Sequence, residues 1–176
     1  MTGSERAEPN VVLVGFTAAG KTTVGALLAA RLGWPHLDLD AALEARIGLI
    51  PAYCARHGVP AFRAAERAVL AAALPPGGAV VSAGAGTVLP RATRRLLCDG
   101  ARVFLLDVPP AVVLARLAAL PPAARHRPDL LGGDALARVA RELEARRPLY
   151  ASLGAVVDAT LPAAEVAAVI AARLAG

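Results

Sequence analysis

The sequence is nearly without lysine. Nineteen of its 176 residues are lysine or arginine, yet Lys21 is the sole lysine. Aromatic residues are also scarce, at 3% of the chain. A core must therefore be assembled from leucine, valine and alanine, and the rings on which a nucleic acid could stack its bases are missing. Only two cysteines are present, Cys54 and Cys98. They lie far apart, match no metal-ligand spacing and read as free thiols. No apolar run reaches the ~18 residues of a membrane span, and the richest stretch, Ala64 to Leu74, is interrupted by Glu66 and Arg67. The opening MTGSERAEPN has none of the apolar character of a secretory signal. These shortages argue against a membrane partner and a disulfide scaffold, and they make a cytoplasmic protein the expectation.

What is present points to one compact enzyme-sized domain. The formal charge is +5 and the isoelectric point about 10.2, a balance that suits nucleic acid or small anions. The arginines are scattered rather than clustered, which favours anionic small molecules over nucleic acid.

Short apolar runs alternate with helical stretches. Val11–Gly15, His36–Asp40, Ala79–Gly84, Ala101–Val108 and Ala155–Asp158 read as strands. Helices are expected over Thr22–Leu32, in pieces over Ala41–Val69 with breaks near Gly48–Pro51 and Gly58–Pro60, over Arg91–Cys98, from Pro109 to about Ala119, from Asp134 to Tyr150, and from Pro162 onward. Pro121 to Gly133 has the punctuation of a loop. Such alternation predicts a parallel sheet with helices on both faces. Ligands then bind beyond the carboxyl ends of the strands, where the sequence places GFTAAGKT, Asp38 with Asp40, and SAGAG.

Gly15 to Thr22 fits G-x4-G-K-[ST] between a strand and a helix. Glycines let the backbone turn its N–H groups toward a phosphate, and the positive helix end faces the same anion. Lysine bridges the outer phosphates and the hydroxyl after it takes a place on Mg²⁺. The one lysine thus stands where a compact ammonium is wanted. Ala18, Ala19, Gly20, Lys21, Thr22 and Thr23 are the candidate nucleotide contacts.

From here the chain resembles the shikimate kinase family of small P-loop kinases, from Val11 to the last helix. The resemblance rests on D-x-D (Asp38-Leu39-Asp40), F-R-x-x-E (Phe62 to Glu66), a glycine turn (Gly84-Ala85-Gly86), a lid arginine before proline (Arg127-Pro128) and R-x-P-L-Y (Arg146 to Tyr150), in that order. It implies a three-layer α/β/α fold with a five-stranded parallel sheet, like the nucleoside-monophosphate kinases. It implies a single domain over 1–176, with a lid loop at about 117–133 and acceptor-binding helices at about 40–73. It further implies ATP and Mg²⁺ as cofactors, shikimate or a similar hydroxy acid as the small-molecule substrate, and a monomer. By the same resemblance Arg63 and Arg146 hold the acceptor carboxylate, Gly84, Ala85 and Gly86 meet the acceptor, and Asp40 orients the attacking 3-hydroxyl. Thr22 and Asp38 hold Mg²⁺, Arg127 reaches the phosphates, and Arg116 lies against the adenine. Lys21, Asp40 and Arg127 form the catalytic set.

Other readings exist for single residues. Asp40 can cap the helix after it, Arg63 and Glu66 at i, i+3 can be a surface ion pair, and Arg146 and Arg147 can be helix C-terminal cations. His36, His57 and His126 show no metal or triad spacing. Three positions depart from the family pattern. Ala85 stands in the middle of the glycine triplet, and a requirement for φ > 0 there would cost about 1 kcal/mol. Cys54 replaces an expected pocket phenylalanine, and the lid segment is longer than usual. The nearest alternative is a kinase of gluconate, a cyclitol or another hydroxylated acid; behind it stand a nucleotide kinase and a nucleotide-binding module without catalysis.

Overall fold

The computed structural model describes residues 8–121 and 127–176. The opening segment and His126, with the middle of the expected lid, lie outside the described residues. Five parallel strands form one sheet in the order β2-β3-β1-β4-β5: β1 Val11–Val14, β2 His36–Asp38, β3 Val80–Ser82, β4 Arg102–Asp107 and β5 Ala155–Asp158. Among the described residues seven α-helices accompany them: α1 Lys21–Leu32, α2 Leu39–Ile47, α3 Ile50–Ala73, α4 Arg91–Cys98, α5 Pro110–Ala119, α6 Ala135–Ala151 and α7 Ala163–Ala175.

The side-chain period of two divides the core. On β1, Val11 and Leu13 face one cluster with Leu28 of α1, Val113 of α5, Val139 of α6 and Ile170 of α7. Val12 and Val14 face the other with Leu43 of α2, Leu70 of α3 and Leu97 of α4. The central strands are buried on both faces, as a sheet covered twice requires. Among the described residues, no helix is long and apolar enough to cross a membrane.

Three local features differ from the reading of the sequence. The second strand ends at Asp38, not Asp40, because the Asp38 carboxylate accepts the Ala41 N–H at 3.0 Å and starts α2 at Leu39. Asp38 therefore fills the capping role considered for Asp40, and Asp40 sits in the first turn of α2. The second helical break is a bend within α3, at Gly58 (φ 80°) two residues before Pro60. The expected loop after α5 contains a short 3-10 helix, Pro128–Leu131, whose Leu130 is fully buried in the core.

Candidate active site

The carboxyl ends of β1, β2 and β3 open on one cleft of about 960 Å³. The turn after β1 bends through Gly15 (φ 147°), Ala18 (φ 56°) and Gly20 (φ 97°) before α1 begins at Lys21. Residues alternating into left-handed conformations make a concavity of backbone N–H groups suited to an anion. Gly15 is also needed for space, since a Cβ there would lie 2.7 Å from the Leu106 carbonyl oxygen.

Lys21 Nζ donates to the carbonyls of Gly15 (2.9 Å) and Phe16 (2.7 Å), folding the side chain back over the turn. Burial pushes its pKa down to about 8, against the opposing pull of Asp40 and then Asp38. The ammonium is thus short of solvation, a condition that an arriving phosphate relieves. Thr22 Oγ1 donates to Asp38 Oδ2 at 2.5 Å, and Thr23 follows it along the cleft. This hydroxyl and carboxylate offer hard oxygen atoms beside the anion site, a donor set that fits Mg²⁺, which keeps water and phosphate oxygens for most of its shell.

Arg116 braces the turn from outside. It donates to Ala19 O at 3.1 Å and Ala18 O at 3.4 Å, and through its other terminal nitrogen to Ala159 O at 2.7 Å. The guanidinium therefore ties the phosphate turn to the segment between β5 and α7, at the edge of the same cleft.

On the opposite side, the glycine turn after β3 admits two charged groups. A Cβ on Gly84 would lie 2.5 Å from an Asp40 carboxylate oxygen, and one on Gly86 would collide with the Arg63 guanidinium. Ala85 between them keeps a backbone outside the left-handed region; among the described non-glycine residues Ala18 alone has positive φ. The condition under which Ala85 would carry a penalty, a requirement for φ > 0, is not met. The Ala85 carbonyl is instead held by the buried Tyr150, whose hydroxyl donates to it at 2.5 Å.

Arg63 is fixed from behind. It donates to Glu66 Oε2 at 2.7 Å, and Thr87 Oγ1 donates to the other carboxylate oxygen at 2.6 Å. Glu66 is 1% exposed, so this is an anchored buried carboxylate rather than a solvated surface pair. Arg146 lines the cleft with its guanidinium over the Phe16 ring, 5.2 Å from the centroid, while Arg147 turns away, one terminal nitrogen donating to both Asp107 oxygens at 2.9–3.0 Å. Arg127 lines the cleft too, bound to both Asp129 and Glu142 at 2.8 Å. Those hydrogen bonds, Asp129 foremost, hold its pKa above the ordinary guanidinium value. Cys54 lies in the wall near Arg63, with its thiol pushed up by burial.

Every candidate residue named from the sequence therefore borders or braces this cleft. Reading the sequence missed Phe16, Ser82, Thr87 and Glu142. Ser82 Oγ donates to the Lys21 carbonyl at 2.8 Å and pairs with His36 Nε2 at 2.9 Å beneath the first turn of α1. Of the four, Glu142 had a signal, its i, i+4 spacing to Arg146. The arrangement can bind a nucleotide phosphate tail at one end and an anionic, hydroxylated molecule at the other, with a carboxylate between.

Comparison with known proteins agrees with this geometry. The pattern of the family described as shikimate kinase matches residues 17–175. A shikimate kinase of Oleidesulfovibrio alaskensis is 43% identical over 159 residues, covering 89% of this chain and 92% of the relative. One from Moorella thermoacetica is 40% identical, with 85% and 84% covered. Among solved structures, a shikimate kinase from Acinetobacter baumannii in complex with shikimate superposes with a TM-score of 0.86 at 29% identity, over 96% of this chain and 93% of that one. A gluconokinase from Sinorhizobium meliloti gives 0.62 at 22% identity, a likeness of fold alone. The chain belongs to the shikimate kinase family.

Proposed function

We propose that this protein transfers the γ-phosphoryl group of ATP to the 3-hydroxyl of shikimate, giving shikimate 3-phosphate and ADP. The observation that carries the reading is the pair of arginines, Arg63 and Arg146, that border the same cleft as the phosphate turn, with Asp40 beside Gly84. Shikimate has one carboxylate and three ring hydroxyls. Two guanidiniums suit the carboxylate, because their planar forks bind it bidentately.

In this reading the turn Ala18–Gly20 and the N-terminus of α1 cradle the phosphates. Lys21 leaves its carbonyl partners for the β- and γ-phosphate oxygens. Thr22 directly, and Asp38 through water, would hold Mg²⁺, which when bound neutralises phosphate charge and orients the tail. Arg63 and Arg146 dock the acceptor carboxylate against Gly84–Gly86. Asp40 accepts a hydrogen bond from the attacking hydroxyl and takes up its proton. Arg127 meets charge on the transferring group, and Arg116 keeps the phosphate turn in place beside the adenine. The segment at about 117–133 acts as a lid that excludes competing water. The helices at about 40–73 carry the acceptor side, and the chain acts as a cytoplasmic monomer of one domain.

An ADP-release assay with shikimate, gluconate and a cyclitol as acceptors tests the reading. Turnover is expected with shikimate at the highest kcat/KM. No turnover with shikimate alongside turnover with another polyol would refute the acceptor assignment and leave phosphoryl transfer standing.

A further inference from the structure

Glu142, on α6, does not line the cleft, yet it touches two of the cations that do. Its Oε2 accepts from Arg146 at 2.8 Å and from Arg127 at 3.3 Å, and its Oε1 accepts from Arg127 at 2.8 Å. Arg127 is 15 residues before it, within the segment that links α5 to α6. Arg146 is one helical turn after it, the favoured order for a carboxylate and a cation on a helix. The carboxylate is about one quarter exposed, at 27%, so it is accessible but well shielded. In the proposed function the two arginines serve different ligands, Arg127 the phosphates and Arg146 the acceptor carboxylate.

We infer that Glu142 is a positioning residue that joins the lid arginine to the acceptor arginine, so that occupation of the acceptor site presets the phosphate-binding site and the reverse. This inference rests on the proposed function. Two guanidiniums this close repel one another unless a shared anion lies between them. The cluster of Arg127, Asp129, Glu142 and Arg146 carries two positive and two negative formal charges, so it is neutral as it stands. When the acceptor carboxylate reaches Arg146, Glu142 loses part of its hold there and its charge falls more fully on Arg127. That fixes Arg127 at the mouth of the cleft before phosphoryl transfer. Linkage makes the effect reciprocal: whatever the acceptor does for nucleotide affinity, the nucleotide does for the acceptor.

The test uses the full-length protein and Glu142→Gln. The amide has the same shape but loses the charge, and its NH2 group cannot accept from a guanidinium. ADP with Mg²⁺ is titrated calorimetrically with and without saturating shikimate, and the thermal midpoint is recorded. The native chain is expected to bind ADP roughly fivefold or more tighter when shikimate is present, the scale of an ordinary coupling between sites. In Glu142→Gln that factor should fall toward one, while affinity for ADP alone and the thermal midpoint stay near native. In an Arg127→Ala background, Glu142→Gln should add no further loss of coupling, as expected of residues acting through one another. An unchanged factor in Glu142→Gln overturns the inference and leaves the proposed function intact. So does a uniform loss of stability with the factor preserved, which would mark a merely structural role. Failure of the native chain to bind shikimate at all would remove the proposed function, and the coupling with it.

Discussion

The Arg63 guanidinium occupies the space that a side chain at Gly86 would need. Gly86 does not have positive φ, so its requirement is one of room, not of backbone conformation. Gly86→Ala is accordingly expected to displace Arg63 while the turn itself survives. Weakening one charge-assisted contact of about 1.5–3 kcal/mol should raise the shikimate KM roughly ten- to a hundredfold. ADP affinity should be near native. Steady-state kinetics and nucleotide titration separate the two, and an equal loss of both would show that the turn had collapsed.

Lys21→Met should lower kcat by a factor on the order of 10²–10³, as for loss of one preorganised electrostatic group. The fold should persist, because the ammonium is buried at a desolvation cost that methionine does not bear. Circular dichroism and single-turnover kinetics check both halves.

The lowered pKa of Lys21 predicts a pH dependence. Its folded value, about 8, lies below the ordinary 10.5, so between those values the unfolded chain binds more protons than the native one. Lys21 therefore makes the native state less stable below pH 8, and that contribution is relieved as pH rises from about 8 to about 10.5. Nucleotide binding runs the opposite way, since the phosphates need the ammonium. ADP affinity should fall by up to about tenfold per pH unit above 8. Lys21→Met should flatten that slope, as measured by titration across pH 7–10.

Asp40→Asn should abolish most turnover, by roughly 10²–10⁴ if the carboxylate takes up the proton, and should retain ADP binding. In the proposed function its place beside Gly84, and its pull on the Lys21 ammonium, put it between the acceptor and the phosphates. A protein that only binds nucleotide would have no activity to lose, so the assay distinguishes the two.

Ala85→Gly should not improve acceptor binding, because Ala85 is free of the left-handed backbone that would favour glycine. It should instead lower stability by about 0.4–1 kcal/mol through the greater freedom of the unfolded chain. Thermal unfolding and shikimate KM provide the readouts.

Much of this was legible in the sequence, for physical reasons. Buried parallel strands such as Val11–Val14 are continuous apolar runs rich in valine, and the phosphate turn is set by glycine spacing within a few residues. HLDLD was read two residues too far as a strand. Its alternation continues, but the Asp38 side chain captures the Ala41 N–H and turns the chain into a helix. The glycine turn is legible as a motif, but the room that Gly84 and Gly86 leave for Asp40 and Arg63 is not, because it depends on side chains from α2 and α3. The Arg63–Glu66 pair was visible in its spacing, but not the burial of Glu66 against Thr87. Least legible was the contact between Arg127 and Glu142, because it depends on how the chain returns after α5.

The bend at Gly58 separates Cys54 from Arg63 along α3. In the proposed function, one half of the helix would shape the girth of the acceptor chamber, and the other half, moored through Glu66 to Thr87, would read the acceptor's charge. On that reading, substitutions at Cys54 would broaden or narrow the chamber while Arg63 and its anchor keep their hold on a carboxylate, leaving the scaffold open to new ring sizes.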